Sequence, residues 1–210
     1  MPAKIKHIIF DLGGVLLNID PNKTLKAFQR LAVSDLNREK QFTYEHSVFS
    51  AMEQGKITSD EFREGIQNLL PIRIAPHLID EAWNAMLLDF IAERITLVNR
   101  LHKHYKVYLF SNTNAIHQHH FHQLFFKKYN YAMSALFDED FYSHELGLRK
   151  PKTAAFEKVL KLADIVAEET LFIDDLNENC LAAKQVGLQT LCLAPTDDLE
   201  QKLKDLFAVF

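Results

Sequence analysis

The chain has 210 residues, 48% of them hydrophobic, enough for one well-packed core with a smaller accessory unit and too apolar for disorder. Its formal charge of -4, from 24 Lys and Arg against 28 Asp and Glu without a clustered basic stripe, argues against nucleic acid as a partner. The apolar run that follows Lys4 and Lys6 is broken at Asp11, too short for a signal sequence or a membrane span, so a cytoplasmic protein outside the membrane is expected.

Short β-like runs then alternate with stretches of helical period, the pattern of a parallel sheet covered by helices. Residues 5–10 form the first expected strand, whose hydrophobic run ends at Asp11, Gly13 and Gly14. About ninety residues separate it from the next strand, 106–110, where a crossover needs roughly a dozen. An inserted helical unit is therefore expected at about 18–99, with the core in 1–17 and 100–210. Within the insertion, LKAFQRLA, SDEFREGIQNLL and LIDEAWNAMLL repeat apolar residues at helical spacing, with Ser59 as N-cap and Glu61 and Glu64 near its start. Between helical segments, MEQGKIT places Glu53, Gly55 and Lys56 in a turn, read either as a specificity loop folding over Asp11 or as a plain connector. Further strands are expected at 141–143, 170–173 and 190–193, spaced as ordinary βα units. Cys180 and Cys192 fall in a helix and a strand with no CxxC spacing and read as reduced core residues.

In an open parallel sheet, ligands bind beyond the carboxyl ends of the strands. Four polar places follow strands or precede helices here: Asp11; Ser111, Asn112, Thr113 and Asn114; Arg149 and Lys150; and the pair Asp174 and Asp175. Together they suit a phosphate handled with a divalent metal. A carboxylate such as Asp11 can attack phosphorus and split one hard displacement into two easier ones. Two anions must then meet, and Mg²⁺ held by Asp11, by Asp174 or Asp175 and by the Gly13 carbonyl would neutralise them. Ser111, Asn112 and a helix N-terminus near Asn114 would hydrogen-bond phosphate oxygens, and Lys150 would balance charge.

The segments FDLGGVL, LFSNTN, GLRKP and FIDDLNEN also resemble, in order, the four motifs of the haloacid dehalogenase-like (HAD) hydrolases, and the resemblance spans essentially the whole chain. It implies a doubly wound parallel α/β sheet of Rossmann-like form with an inserted helical cap. It further implies Asp11 as nucleophile, Ser111 as phosphate ligand, Lys150 as charge-balancing lysine, and Asp174 and Asp175 as metal acids, with Asp175 the direct ligand. FDLGGVL, SNTNAIH and MEQGKIT are most similar to the sugar-phosphatase branch that includes α-D-glucose-1-phosphate phosphatases. Glu53 and Gly55 then join the substrate-binding set, and the substrate is a small phosphorylated metabolite. One departure stands out: most phosphatases of the family carry an acid/base aspartate two residues after the nucleophile, and this chain has Gly13. Positioned acid/base groups are worth about 10²- to 10⁴-fold in rate. The leaving oxygen can be one that needs little protonation, such as an anomeric hydroxyl; the acid can come from the cap or the substrate; or turnover has been lost and a regulatory phosphate-binding module remains. A haloacid dehalogenase also lacks that aspartate, but the Asp174 and Asp175 pair makes sense around a cation and would repel Asp11 without one.

Each feature also has an ordinary structural explanation. Asp175 or Asn177 could cap the helix ENCLAAKQVG, Ser111 to Asn114 could be a plain strand-to-helix turn, and Lys150 before Pro151 could be surface charge. The run HQHHFH pairs His117 with His120 and His119 with His122 on different helix faces and, lacking an acidic partner, reads as solvated or packed histidines. His117 stands apart from the rest, because SNTNxxH resembles the same family branch, a resemblance that would put it near the phosphate. The aromatic run FHQLFFKKYNYAMSALF reads as core, with an exposed part that could serve a dimer, so monomer and homodimer both stay open.

Overall fold

The computed structural model describes residues 4–31, 47–70 and 72–207. The tips of the expected core (1–3 and 208–210) and parts of the expected insertion (32–46 and 71, including Ala32 of LKAFQRLA) lie outside them. The main sheet is five-stranded and wholly parallel, built from β1 (His7–Phe10), β4 (Lys106–Ser111), β5 (Glu139–Tyr142), β6 (Thr170–Asp174) and β7 (Gln189–Cys192). Its order is β5-β4-β1-β6-β7. The chain runs outward from β1 to β4 and β5 and then returns to the other side of β1, which creates a switch point at the end of β1. This is the doubly wound α/β sheet expected.

Alternation along β1 sends residues to two separate cores. Ile8 and Phe10 join Leu109 and Ile173 under α5 (Ala92–Leu101), α6 (Ala115–Tyr129) and α10 (Leu199–Phe207). Ile9 faces the other way and packs with Phe110 and Phe172 against α8 (Thr153–Ala163) and α9 (Asn177–Gln185). Each fully buried Ile, Leu or Phe of this kind contributes about 1.5–3 kcal/mol, so the site is seated on the best-buried part of the molecule. Phe121 and Phe125 of the aromatic run are core as expected, while Phe126 is exposed.

Two corrections concern the insertion. The segment LIDEAWNAMLL does not stay helical: α4 (Pro76–Asn84) ends, and Leu87 and Leu88 enter β3 (Leu87–Phe90), antiparallel to β2 (Leu17–Ile19). The periodicity of this segment resembled a helix because its buried positions in α4 run directly into a strand without Gly or Pro between them. The two strands carry the chain out of the core and back, and α5 already packs on the sheet; we propose that the insertion ends near Phe90 and not near residue 99. The second correction is the N-cap of α3 (Ser59–Gln67). It is Thr58, whose hydroxyl accepts from the Glu61 amide while Glu61 accepts from the Thr58 amide, leaving Ser59 as the first helical residue.

α1 (Pro21–Leu31), α2 (Ser47–Glu53), α3 and α4 share their own core of Phe28, Phe49, Phe62, Ile79 and Trp83, which also takes in Ile116 of α6. At the end of α2 the cap meets the core directly. Ser143, the first residue of α7 (Ser143–Leu146), donates its hydroxyl to the Glu53 carbonyl at 2.7 Å. Gly55 has φ +63°, and a Cβ there would lie 2.0 Å from the His144 carbonyl oxygen. Only glycine allows this approach. Gly55→Ala should therefore lose at least the 1–2 kcal/mol of a left-handed alanine and loosen the cap, seen as faster proteolysis of the cap with the core intact; unchanged cleavage would contradict this docking.

Candidate active site

The parallel register brings Asp11 out beside Asp174, because Phe10 pairs with Ile173 and the Asp11 amide donates to the Ile173 carbonyl at 2.8 Å. On the other flank, Phe10 pairs with Leu109, two residues before Ser111. Lys150 reaches in from the loop ahead of α8. Its ammonium is 1% exposed and uses all three donors, on Asp11 Oδ1 at 2.6 Å, Asp174 Oδ2 at 2.7 Å and the Phe110 carbonyl at 3.0 Å. The rings of Phe110 and Phe172 lie 5.2 Å from it on either side.

Asn112 explains how this lysine is held. Its carboxamide accepts from the Lys150 amide and donates to the Lys150 carbonyl, each at 2.9 Å, pairing with the backbone as a neighbouring strand would. The side chain of Asn112, expected on phosphate, is thus committed to positioning Lys150. Asp174 is equally committed. It accepts from Lys150, from the Leu176 amide at 2.8 Å and, on both oxygens, from the carboxamide of Asn179. The start of α9 is closed by Asp174 itself, not by Asp175 or Asn177 as a capping role would have required. Asn179 was missed from the sequence; it lies five residues beyond Asp174 inside FIDDLNEN, and that spacing onto the first helical turn was the signal.

Asp175 has a different setting. Gly14, at φ +71°, lets it press on the backbone, for a Cβ at that position would sit 2.2 Å from Asp175 Oδ2. Arg94 of α5 fixes the same turn by donating to the Gly14 and Val15 carbonyls at 3.2 and 2.7 Å. Ligand oxygens of Asp11, Asp174 and Asp175 all fall within 4.8 Å of one another. Three carboxylates thus face the Lys150 ammonium, with the Arg94 guanidinium acting on Asp175 as well. Burial, with Asp174 adding to it, raises the Asp11 carboxyl to about 7 despite the opposing Lys150, and burial with Asp174 raises Asp175. Burial lowers Lys150, but the two aspartates outweigh it and hold the ammonium above its usual value. The surplus of negative charge and the all-oxygen donor set fit a hard divalent cation such as Mg²⁺. Asp11 and Asp175 would hold it, since the oxygens of Asp174 are already engaged.

A cavity of about 190 Å³ lies beside this cluster between cap and core, lined among others by Leu12, Gly13, Glu53, Ser111, Asn112 and His117 and reaching the cluster through the neighbours of Asp11, not through Asp11, Lys150, Asp174 or Asp175 themselves. Glu53 belongs to it, while its carboxylate pairs with Arg149 of the core at 3.2 Å; burial raises Glu53 and Arg149 opposes the shift. Gly55 lies against His144 and is absent from the lining. Asn114 caps α6 as expected, its Oδ1 accepting from the Ile116 and His117 amides. The rest of HQHHFH is dispersed, with His119 on Gln123 and His122 on the Tyr142 hydroxyl. Cys180 is buried as expected, but Cys192, at the far edge of the sheet, is exposed.

The sequence pattern of the haloacid dehalogenase-like hydrolases matches residues 5–187. The chain belongs to this family. It is 29% identical over 199 residues to the D-ribitol-5-phosphate phosphatase of Bacteroides thetaiotaomicron, covering 95% of this chain and 97% of that one. It is 34% identical over 201 residues to a sesquiterpene phosphatase of Aspergillus oryzae, covering 95% and 94%. Among solved structures, a HAD family enzyme of Bacteroides thetaiotaomicron in complex with magnesium and inorganic phosphate superposes with a TM-score of 0.87 at 33% identity, over 94% of this hydrolase and 98% of that chain. No helix among the described residues is long and apolar enough to cross a membrane.

The charge balance of this hydrolase yields a metal prediction. A carboxyl raised in the folded state stabilises the fold most below its ordinary value near 3.8 and loses that contribution as pH rises through about 7. A cation that competes with the proton reverses this loss. The gain in thermal midpoint from Mg²⁺ over chelator should accordingly be larger at pH 8 than at pH 5.5, and an equal gain at both would count against metal binding at Asp11 and Asp175.

Proposed function

We propose that this hydrolase is a Mg²⁺-dependent phosphatase of a small phosphorylated metabolite, a sugar or polyol phosphate, working through an aspartyl-phosphate on Asp11. The observation that carries the reading is the buried Lys150 ammonium fixed between Asp11 and Asp174, with Asp175 within ligand distance of both. Asp11 attacks phosphorus through one carboxylate oxygen. Lys150 holds the other oxygen and keeps the carboxylate charged and aimed. Ser111, 4% exposed at the end of β4, hydrogen-bonds a phosphoryl oxygen, while α6, whose Ile116 and His117 amides are already taken by Asn114, contributes through its dipole. Asp11, Asp175 and the Gly13 carbonyl would hold magnesium, which would supply charge neutralisation for the meeting anions. The cap, docked through Glu53 and Gly55, keeps bulk water from the intermediate. Both phosphatase relatives support the reaction class, and the one acting on ribitol 5-phosphate supports the small, hydroxylated substrate.

Gly13 leaves the leaving oxygen without the usual neighbouring acid. The nearest atoms to a Cβ there belong to the Ile19 side chain, at 3.2 Å and beyond, which would have to give by a few tenths of an ångström, and the position has no positive φ that would bar a side chain. Gly13→Asp is therefore expected to fold and to raise turnover of simple alkyl phosphates, by up to about 10²-fold if the carboxyl reaches the leaving oxygen; no gain in a folded variant would show that the missing acid is not limiting.

The direct test is phosphate release from a panel of sugar, polyol and alkyl phosphates with Mg²⁺ or chelator. Release should require Mg²⁺ and vanish in Asp11→Asn while the fold persists. Undiminished turnover in Asp11→Asn would end the nucleophile assignment, and phosphate binding without release from any ester would favour a regulatory module.

A further inference from the structure

The cavity beside the catalytic cluster is mostly apolar, contributed by Leu12, Leu17, Ile19, Met86 and Leu87 among others, yet one of its polar side chains is buried with a bare atom. His117, in the first turn of α6, is 6% exposed. Its Nδ1 lies 2.9 Å from Oδ1 of Asn84, at the end of α4. A carboxamide oxygen can only accept, so the ring proton sits on Nδ1 and Nε2 carries a free lone pair. Nε2 is buried and has no hydrogen-bond partner among the described residues.

The ring has little freedom to turn elsewhere. It stacks on Trp83 with centroids 4.5 Å apart and planes 16° from parallel. Trp83 Nε1 donates to Asn114 Oδ1 at 3.3 Å, and the same oxygen accepts from the His117 amide at 3.1 Å. Burial, with a smaller contribution from His120, lowers His117 to about 3. At neutral pH it is therefore an uncharged acceptor and has no proton at Nε2 to give. This removes His117 as the acid that Gly13 lacks. A buried acceptor left unmade is costly, and a donor arriving with the ligand offsets that cost. Glu53, the acidic side chain in the lining, is likewise an acceptor when paired with Arg149. The cavity is small, about 190 Å³, so a ligand chain lying in it packs directly against Leu12, Leu17, Met86 and Leu87.

Building on the phosphatase reading, we propose that His117 is a substrate-binding residue whose Nε2 accepts a hydrogen bond from a hydroxyl on the alcohol part of the substrate, so that the cavity selects short polyol or sugar phosphates over alkyl and isoprenoid phosphates of equal length. Asn84 and Trp83 are its positioning residues: one sets the tautomer and the other the ring plane. An apolar chain would satisfy the leucines but bury Nε2 unpaired. The hydroxylated chain satisfies both.

The test compares kcat/KM for a matched pair, a pentitol 5-phosphate and pentyl phosphate, with Mg²⁺. Wild type should favour the pentitol ester by about tenfold or more, the effect of one buried hydrogen bond left unmade. His117→Phe keeps a ring on Trp83 and removes the lone pair; it should erase that preference by losing rate on the pentitol ester alone, while His117→Gln, with a carboxamide oxygen, should restore part of it. An equal fall on both esters would reduce His117 to a structural role, and an unchanged preference would overturn the proposal while leaving the phosphatase intact. Release from no ester at all by wild type would instead overturn the phosphatase reading and this inference with it. Should His117→Phe not fold, ¹⁵N resonances of wild-type His117 with Mg²⁺ and vanadate decide the tautomer: a protonated Nε2 at pH 7 overturns the proposal, and a bare Nε2 that shifts on adding pentitol but not pentanol supports it.

Discussion

Everything at the carboxyl end of this sheet depends on one buried ammonium. Lys150 crosses from a loop to lie between two strands, and without it Asp11 and Asp174 would face each other across adjacent strands as uncompensated anions. Removing one partner of such a buried set generally costs about 3–5 kcal/mol because the remaining charge is stranded. The arrangement is accordingly over-determined: Asn112 fastens the lysine backbone, two phenylalanine rings sandwich the ammonium, and Asn179 with the Leu176 amide fastens Asp174. None of these helpers is aimed at a substrate. They exist so that the nucleophile need not reorganise when a phosphoryl group arrives.

The strength of this network also separates two aspartates that look equivalent in sequence. Asp174 is spent on holding the lysine, whereas Asp175, one residue later and beyond the strand, points at the turn around Gly14. The two side chains nonetheless converge, with oxygens of both within 4.8 Å of each other and of Asp11. They differ in their partners: Asp174 is taken up by the ammonium, while Asp175 is left beside the Gly14 turn.

Part of this was legible beforehand. The five parallel strands and the convergence of Asp11, Asp174 and Asp175 follow from hydrophobic runs that stop at polar residues, a one-dimensional signal that survives without coordinates. What escaped reading was settled by contacts between distant segments. Asn112 reads as a phosphate ligand until its backbone partner 38 residues away is known. Leu87 and Leu88 read as helix because no neighbour announces the pairing with Leu17 and Ile19. His117 sat in a histidine run whose meaning depended on Trp83 and Asn84, more than thirty residues earlier on the cap. Ser59 and Thr58 differ by one position, and only the reciprocal bond with Glu61 decides between them.

The hydroxyl of Ser143 carries a last consequence. Its single proton lies between the Glu53 carbonyl on the cap, at 2.7 Å, and the Thr113 carbonyl, at 3.0 Å, while its oxygen accepts from the Thr113 amide. One hydroxyl thus ties the cap to the segment that follows β4. The Glu53 and Arg149 pair, the stacking of Trp83 on His117 and the burial of Ile116 in the cap core hold the same seam. A neutral hydrogen bond and a partly exposed ion pair contribute about 1 kcal/mol or less each. The polar contacts therefore set where the cap sits, while the apolar ones supply most of what keeps it there.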